Sequence, residues 1–303
     1  MQYLEFREEI LSCLCEEMGG EVDLSIREVS KLNGSVKYGI GFEKTNNPVS
    51  PTVYLEEFYE KYKQGESIEN ICQAIIDFYK CDNSLLDFVS ENFTDYDKAK
   101  GNLFIKMVNT SKNCKMLEDT PHKEFLDLSI VVYYELYVGK DSLGGIVIKQ
   151  THLREWGISI EELMEDAIKN SMEVKAFELM PLSEVVEEML GNEEMLSDDE
   201  EVMYLLSNKV RFYGAGVICY PDILEHISDY LKEDYCILPS SIHELIIIPK
   251  SKIEDISSVI EMVREVNDTQ VALEEILSYN IYLYNSKDKY LTMQGKVKNV
   301  ACM

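Results

Sequence analysis

Residues 235–249 read YCILPSSIHELIIIP: an apolar run, a proline with two serines, a histidine with a glutamate, and a second apolar run. Both runs are short and rich in β-branched or aromatic residues, which suit the packed surface of a sheet. Pro239, Ser240 and Ser241 are therefore the connection, and His243-Glu244 is predicted to start the second strand. Alternation then puts His243 with Leu245 and Ile247 on one face, and Glu244 with Ile246 and Ile248 on the other. Both faces are apolar, so this strand is predicted to lie inside its sheet rather than at an edge.

The same stretch is where hydrolytic side chains crowd together, which makes Ser240, Ser241, His243 and Glu244 the candidate catalytic residues. A zinc protease needs a second histidine four residues after the first; position 247 is Ile. A serine nucleophile needs a base steered by a third group, often on a glycine-flanked elbow, and Pro239-Ser240-Ser241 has no such glycines. The better-supported reading is a turn in which the hydroxyls satisfy backbone amides and His243 hydrogen-bonds at a sheet end.

Outward from this point the chain alternates helical and strand patterns. Apolar residues at 3, 6, 10, 13 and 14 predict a helix stopped by Gly19-Gly20. Val22, Leu24 and Ile26, then Asn33-Gly34, then Val36, Tyr38, Ile40 and Phe42 predict a β-hairpin. After Asn47-Pro48 and Pro51 a second helix carries Ile68, Ile71, Cys72, Ile75, Ile76 and Tyr79, with Ser67 as its cap.

A second region opens with NLFIKMVN (102–109) and a strand in DLSIVVYYELYV (127–138), turned by GKDSLG into GIVIK. Ser159 and Glu162 form a capping box ahead of a helix over 160–172, and His122 is assigned to a polar loop. VMYLLSN and GAGVICY read as strands, and PDILEHISDYL as a helix with Pro221 in its first turn. Ser251 and Glu254 look like a second capping box before a helix with Ile253, Ile256, Ile260 and Val263, and IYLYN like a further strand. The expected class is α+β, with mixed or antiparallel sheets flanked by amphipathic helices. It divides into a small module over 1–93, a larger domain over 94–286 and a fraying basic tail over 287–303.

Charge sets the partners. The 303 residues carry 56 acids against 29 bases, a net of -27, and the excess is spread: 18 against 8 in residues 1–93, 38 against 21 in the rest. No cluster of Lys and Arg is available to neutralise phosphates, which argues against direct nucleic-acid binding and against anionic membranes. The imbalance points to a basic protein partner or, as an alternative, to a nucleic-acid mimic that inhibits a DNA-binding protein. EVVEEMLGNEEMLSDDEE (184–201) has nine acids and is expected to end in a mobile acidic loop. Asp198 and Asp199 are adjacent, without the alternating spacing of a calcium loop.

No metal or cofactor is expected. The eight cysteines show no CxxC spacing, and neither GxxxxGK[ST] nor GxGxxG occurs. The first residues lack the basic start and continuous apolar stretch of a signal peptide, no window suits a membrane span, and the expected location is cytoplasmic.

NNPVSPTVYLEEFYEKYKQG (46–65), TPHKEFLDLSIVVYYEL (120–136), HLREWGISIEELMEDAIKNS (152–171), MYLLSNKVRFYGAGVICYPDIL (203–224), YCILPSSIHELIIIP and MVREVN (262–267) occur in this order. Together they resemble an uncharacterised family of anaerobic Gram-positive bacteria, domain of unknown function 5688, up to about residue 285. Asn170-Ser171 stands where relatives carry Asn-Thr. Residues 102–250 also look distantly like a second uncharacterised Firmicutes family. The resemblance implies a cytosolic bacterial protein of the kind found on accessory DNA, and implies no activity.

Overall fold

The computed structural model describes residues 1–20, 22–43, 52–138, 142–190, 202–294 and 296–300. The break at Asn47-Pro48 and Pro51, the turn at 139–141 and the acidic stretch 191–201 with Asp198 and Asp199 lie outside them. The protein is α+β, and two compact units divide it: residues 1–99 with 135–145, and residues 100–134 with 146–303.

In the first unit, helix α1 (Tyr3–Met18) buries Phe6, Ile10, Leu14 and Met18 and ends on Gly19 at φ 60, the left-handed cap that glycine adopts without a Cβ penalty. Strands β1 (Asp23–Ser30) and β2 (Val36–Glu43) pair antiparallel with Ile26 opposite Ile40, and Asn33 and Gly34 take positive φ in the connection. Strand β3 (Thr52–Tyr54) adds to β2. Helix α2 (Glu56–Lys63) precedes α3 (Ile68–Phe93), whose first turn is capped by Ser67 Oγ accepting from Asn70 N at 3.2 Å. Phe42 stacks on Tyr79 at 4.3 Å in a core that joins α1, β2 and α3. A single turn, α4 (Tyr96–Ala99), closes this part of the chain.

In the second unit, β4 (Leu103–Asn109) pairs with residues 128–134 of β6 (Leu128–Val138), and β5 (His122–Phe125) pairs with the same strand. His122 thus belongs to a strand, opposite Val131, and not to a loop. The short helix α5 (Cys114–Leu117) lies between β4 and β5, and β7 (Ser142–Val147) also pairs with β6. Helices α6 (Gln150–Trp156) and α7 (Ile160–Val174) follow, the latter capped by Ser159 Oγ from Glu162 N at 3.2 Å.

A seven-stranded antiparallel sheet completes it. Its strands are β8 (Phe177–Pro181), β9 (Tyr204–Asn208), β10 (Tyr235–Leu238), β11 (Leu245–Pro249), β12 (Tyr282–Asn285), β13 (Tyr290–Met293) and β14 (Lys296–Val300), in the order β14-β13-β12-β10-β11-β9-β8. Helices α8 (Leu182–Leu190), α9 (Ile223–Leu231) and α10 (Ile256–Thr269) connect them. Strand β11 is internal, between β10 and β9 as its two apolar faces require. Cys236, Leu238 and Ile248 pack towards Ile256, Val259 and Val263 of α10, while Tyr235 donates its hydroxyl to Leu224 O of α9 at 2.9 Å.

Several expectations need correction. GAGVICY is a 3-10 helix over Gly214–Cys219, entered through Tyr213 at φ 52, with Gly214 to Ile218 all buried. A short run that is apolar all round does not reveal its period. Pro221 precedes α9, whose N-cap is Asp222. Ser251 caps nothing: its N–H and hydroxyl both go to Glu233, at 2.7 and 2.8 Å, and Asp255 caps α10 through Ser257 N at 3.0 Å. The tail from 287 carries β13 and β14 instead of fraying. Leu291 is buried there, and Lys289 is held by Glu225 at 2.5 Å. Strand β11 starts at Leu245, so His243 and Glu244 belong to the turn.

Candidate functional site

Residues 239–244 join two neighbouring interior strands, and the turn is held from several sides. Ser240 N donates to Leu238 O at 3.0 Å, Ile242 N to Glu275 O at 2.9 Å, and Ser278 N to Pro239 O at 3.2 Å. Ser207 Oγ donates to His243 O at 2.7 Å, and Ser241 bridges antiparallel to Ile276. Buried backbone groups need partners, and this connection finds them in the adjoining strand, in residues 275–278 and in Ser207.

Ser241 is 4% exposed and its hydroxyl is fully engaged. The oxygen accepts from His243 N at 3.0 Å and Glu244 N at 3.3 Å, and the hydroxyl donates to Glu244 Oε1 at 2.6 Å. A hydroxyl has one proton and two lone pairs, so this inventory is complete. A serine nucleophile needs a free lone pair open to substrate, whereas here both are taken by backbone amides in a buried residue.

The imidazole of His243 faces elsewhere. Its Nδ1 accepts the N–H of Tyr213 at 3.2 Å, which holds that edge of the ring against the backbone. Nε2 lies 3.7 Å from Glu275 Oε1, beyond hydrogen-bond length, and the ring stacks on Tyr213 at 5.6 Å and 12°. The structure thus brings Ser241, His243 and Glu244 into one turn, with hydroxyl and imidazole directed to different partners; Ser240 contributes through its backbone.

The stack continues into a cluster that strand and helix patterns did not reveal. Tyr213 meets Tyr133 edge to face at 5.0 Å, and Lys106 Nζ lies 4.7 Å from the Tyr213 ring. Lys175 Nζ donates to Tyr133 Oη at 2.7 Å and lies 4.4 Å from the Phe104 ring. Lys106 and Lys175 are 6% and 4% exposed, unusual for ammonium groups and made tolerable by aromatic faces and the phenol. A signal was present: Lys106 interrupts LFIKMVN, a strand buried on both faces.

A second convergence centres on Asp127, in the tight connection between β5 and β6. Its carboxylate accepts from Ser278 Oγ at 2.6 Å, Asn280 Nδ2 at 2.8 Å and Tyr282 Oη at 2.6 Å. Burial and the adjacent Asp127 charge push the Tyr282 phenol well above its ordinary range. These bonds fasten β6 to the segment leading into β12.

A cleft of about 430 Å³ opens beside α10, with Cys236, Ile256, Leu283 and Tyr290 among its walls and the Asp234–Lys250 pair, 3.0 Å apart, at its rim. The N–H and hydroxyl of Ser286, then Lys250, hold the Asp234 carboxyl down to about 2. None of residues 239–244 lines this cleft. Among the described residues no group of His, Cys, Asp or Glu is placed to hold a metal ion, and no helix is long and apolar enough to cross a membrane.

The result is an α+β protein whose polar clusters tie strands together around engaged side chains. Over residues 3–286 the chain matches the model of a family of unknown function, DUF5688, and it belongs to that family. No solved structure matches the chain.

Proposed function

We propose that the chain is a non-catalytic cytoplasmic interaction protein whose acidic surface engages a basic protein partner. The observation that carries this reading is the buried Ser241 hydroxyl, which donates to Glu244 while the His243 ring accepts from Tyr213 N. The net charge of -27 gives the partner its sign: it would attract a cationic surface over several ångströms, and salt would weaken the association.

The test uses the tagged full chain as bait, followed by titration of the purified pair with salt. The proposal expects a specific cationic protein whose affinity falls at least tenfold between about 0.05 and 0.5 M salt. No specific partner at low salt, or binding indifferent to salt, contradicts it. Hydrolysis of an ester or phosphoester that disappears in a folded His243→Ala protein would establish the catalytic alternative through Ser240, Ser241, His243 and Glu244 instead.

A further inference from the structure

Two thiols in the first unit are placed for chemistry with each other. Helix α1 turns Ile10 and Leu14 into the core, and Cys13 sits half-buried at the margin of that stripe. Cys72, 1% exposed on α3, has its Sγ 3.9 Å from the carbonyl oxygen of Ile10. Side chains on a helix lean towards its N-terminus and over the preceding turn, so Cys13 projects towards that same carbonyl. Cys13 packs against the same buried cluster that holds Cys72. Cys15, by contrast, is exposed on another face of α1.

We propose that Cys13 and Cys72 form a reversible oxidation site that closes to a disulfide between α1 and α3. The oxidant is a peroxide, and the partly exposed Cys13 meets it first. The Cys13 thiolate attacks one peroxide oxygen, the O–O bond breaks, hydroxide leaves and is protonated to water, and a sulfenic acid remains on Cys13. Cys72 then gives up its proton and its sulfur attacks the Cys13 sulfur. The S–O bond breaks and the departing hydroxide takes a proton to leave as a second water. Two thiols have lost two protons and two electrons, and one hydrogen peroxide has become two waters. Burial, reinforced by the contact with Cys13, pushes the Cys72 thiol up, which makes closure the slower step. Two equivalents of a monothiol such as glutathione reverse the reaction by exchange.

The bridge links residues far apart in sequence and so restricts the unfolded chain, which raises the unfolding midpoint of the oxidised protein. The experiment treats the full chain with hydrogen peroxide and follows intact mass and non-reducing peptide maps. The expected product is a monomer that has lost two hydrogens, with the peptides containing Cys13 and Cys72 joined and both released by dithiothreitol. Cys13 and Cys15 share the tryptic peptide 8–27, so Cys15→Ser must keep the bridge and Cys13→Ser must abolish it. Because Cys72 is buried, Cys72→Ala is compared with Cys72→Ser to retain a folded control. Accumulation of sulfinic acid on Cys13 without a bridge, or a bridge that survives Cys13→Ser, overturns the proposal.

Discussion

Ser241 and Glu244 close a ring of their own: the serine hydroxyl donates to Glu244 Oε1 at 2.6 Å while its oxygen accepts the Glu244 N–H at 3.3 Å. The two residues bind each other through side chain and backbone together, which sets the direction in which the chain enters β11. Around this ring the backbone of residues 239–243 is bonded to Glu275, Ser207 and Ser278.

Gly214 stands where Ser207 Oγ and the carbonyl of His243 already occupy the space a Cβ would need. A backbone oxygen cannot swing aside as a flexible side-chain end can. Gly214→Ala is therefore expected to lower stability by about 3 kcal/mol, measured by urea unfolding. An unchanged midpoint would mean that the turn at 243 is free to move.

Asp127 holds three donors with one carboxylate, so Asp127→Asn weakens charge-assisted bonds to Ser278, Asn280 and Tyr282 together. The expected loss is about 2–3 kcal/mol at neutral pH. Tyr282 adds an alkaline signature. Its folded pKa is raised above the ordinary value of 10.0, so the folded state keeps a proton that the unfolded chain releases. That share of stability is complete below pH 10 and declines as pH rises above it. Tyr282→Phe should reduce the alkaline slope of the unfolding free energy, and an identical slope would contradict the assignment.

Asp234 predicts the opposite limb. Its carboxyl is lowered from 3.8 to about 2 by Ser286 and Lys250, so its contribution is present above pH 4 and lost as pH falls through 2. Solvent screening at this rim position limits it to about 1 kcal/mol. Urea midpoints between about pH 5 and 2 should fall less steeply in Asp234→Asn than in the parent chain.

Lys175 tests the aromatic cluster. Lys175→Ala removes the donor to Tyr133 Oη and opens a void beside Phe104, with an expected loss of about 2–4 kcal/mol. Lys175→Met keeps most of the volume against the rings and should lose less, since apolar replacement of a buried charge is often well tolerated. Equal losses in chemical denaturation would show that the ammonium group itself carries the stability.

How far the sequence revealed this depends on the range of the interactions. The α1 stripe, the Asn33-Gly34 hairpin and the Ser67 and Ser159 caps are decided within a few residues, and each appears in the structure. Where a distant partner decided the outcome, local reading failed. Ser251 and Glu254 have capping spacing, yet Glu233 takes Ser251. GAGVICY lacks a usable period because all its sides are buried. The lysines after 287 suggest fraying, but β12 supplies a pairing edge. The crowding of Ser241, His243 and Glu244 was visible, whereas the direction of the His243 ring depended on Tyr213 and Glu275, remote in sequence.

The most direct measurement pairs the unfolding free energy of Ser241→Ala with labelling of the parent chain by a fluorophosphonate. If this hydroxyl serves to shape the chain, its removal strands the His243 and Glu244 amides, stability falls by about 1–3 kcal/mol, and Ser241 takes up no label. Undiminished stability in Ser241→Ala, together with a phosphonylated Ser241 in the parent, would contradict the account and make the turn an active site.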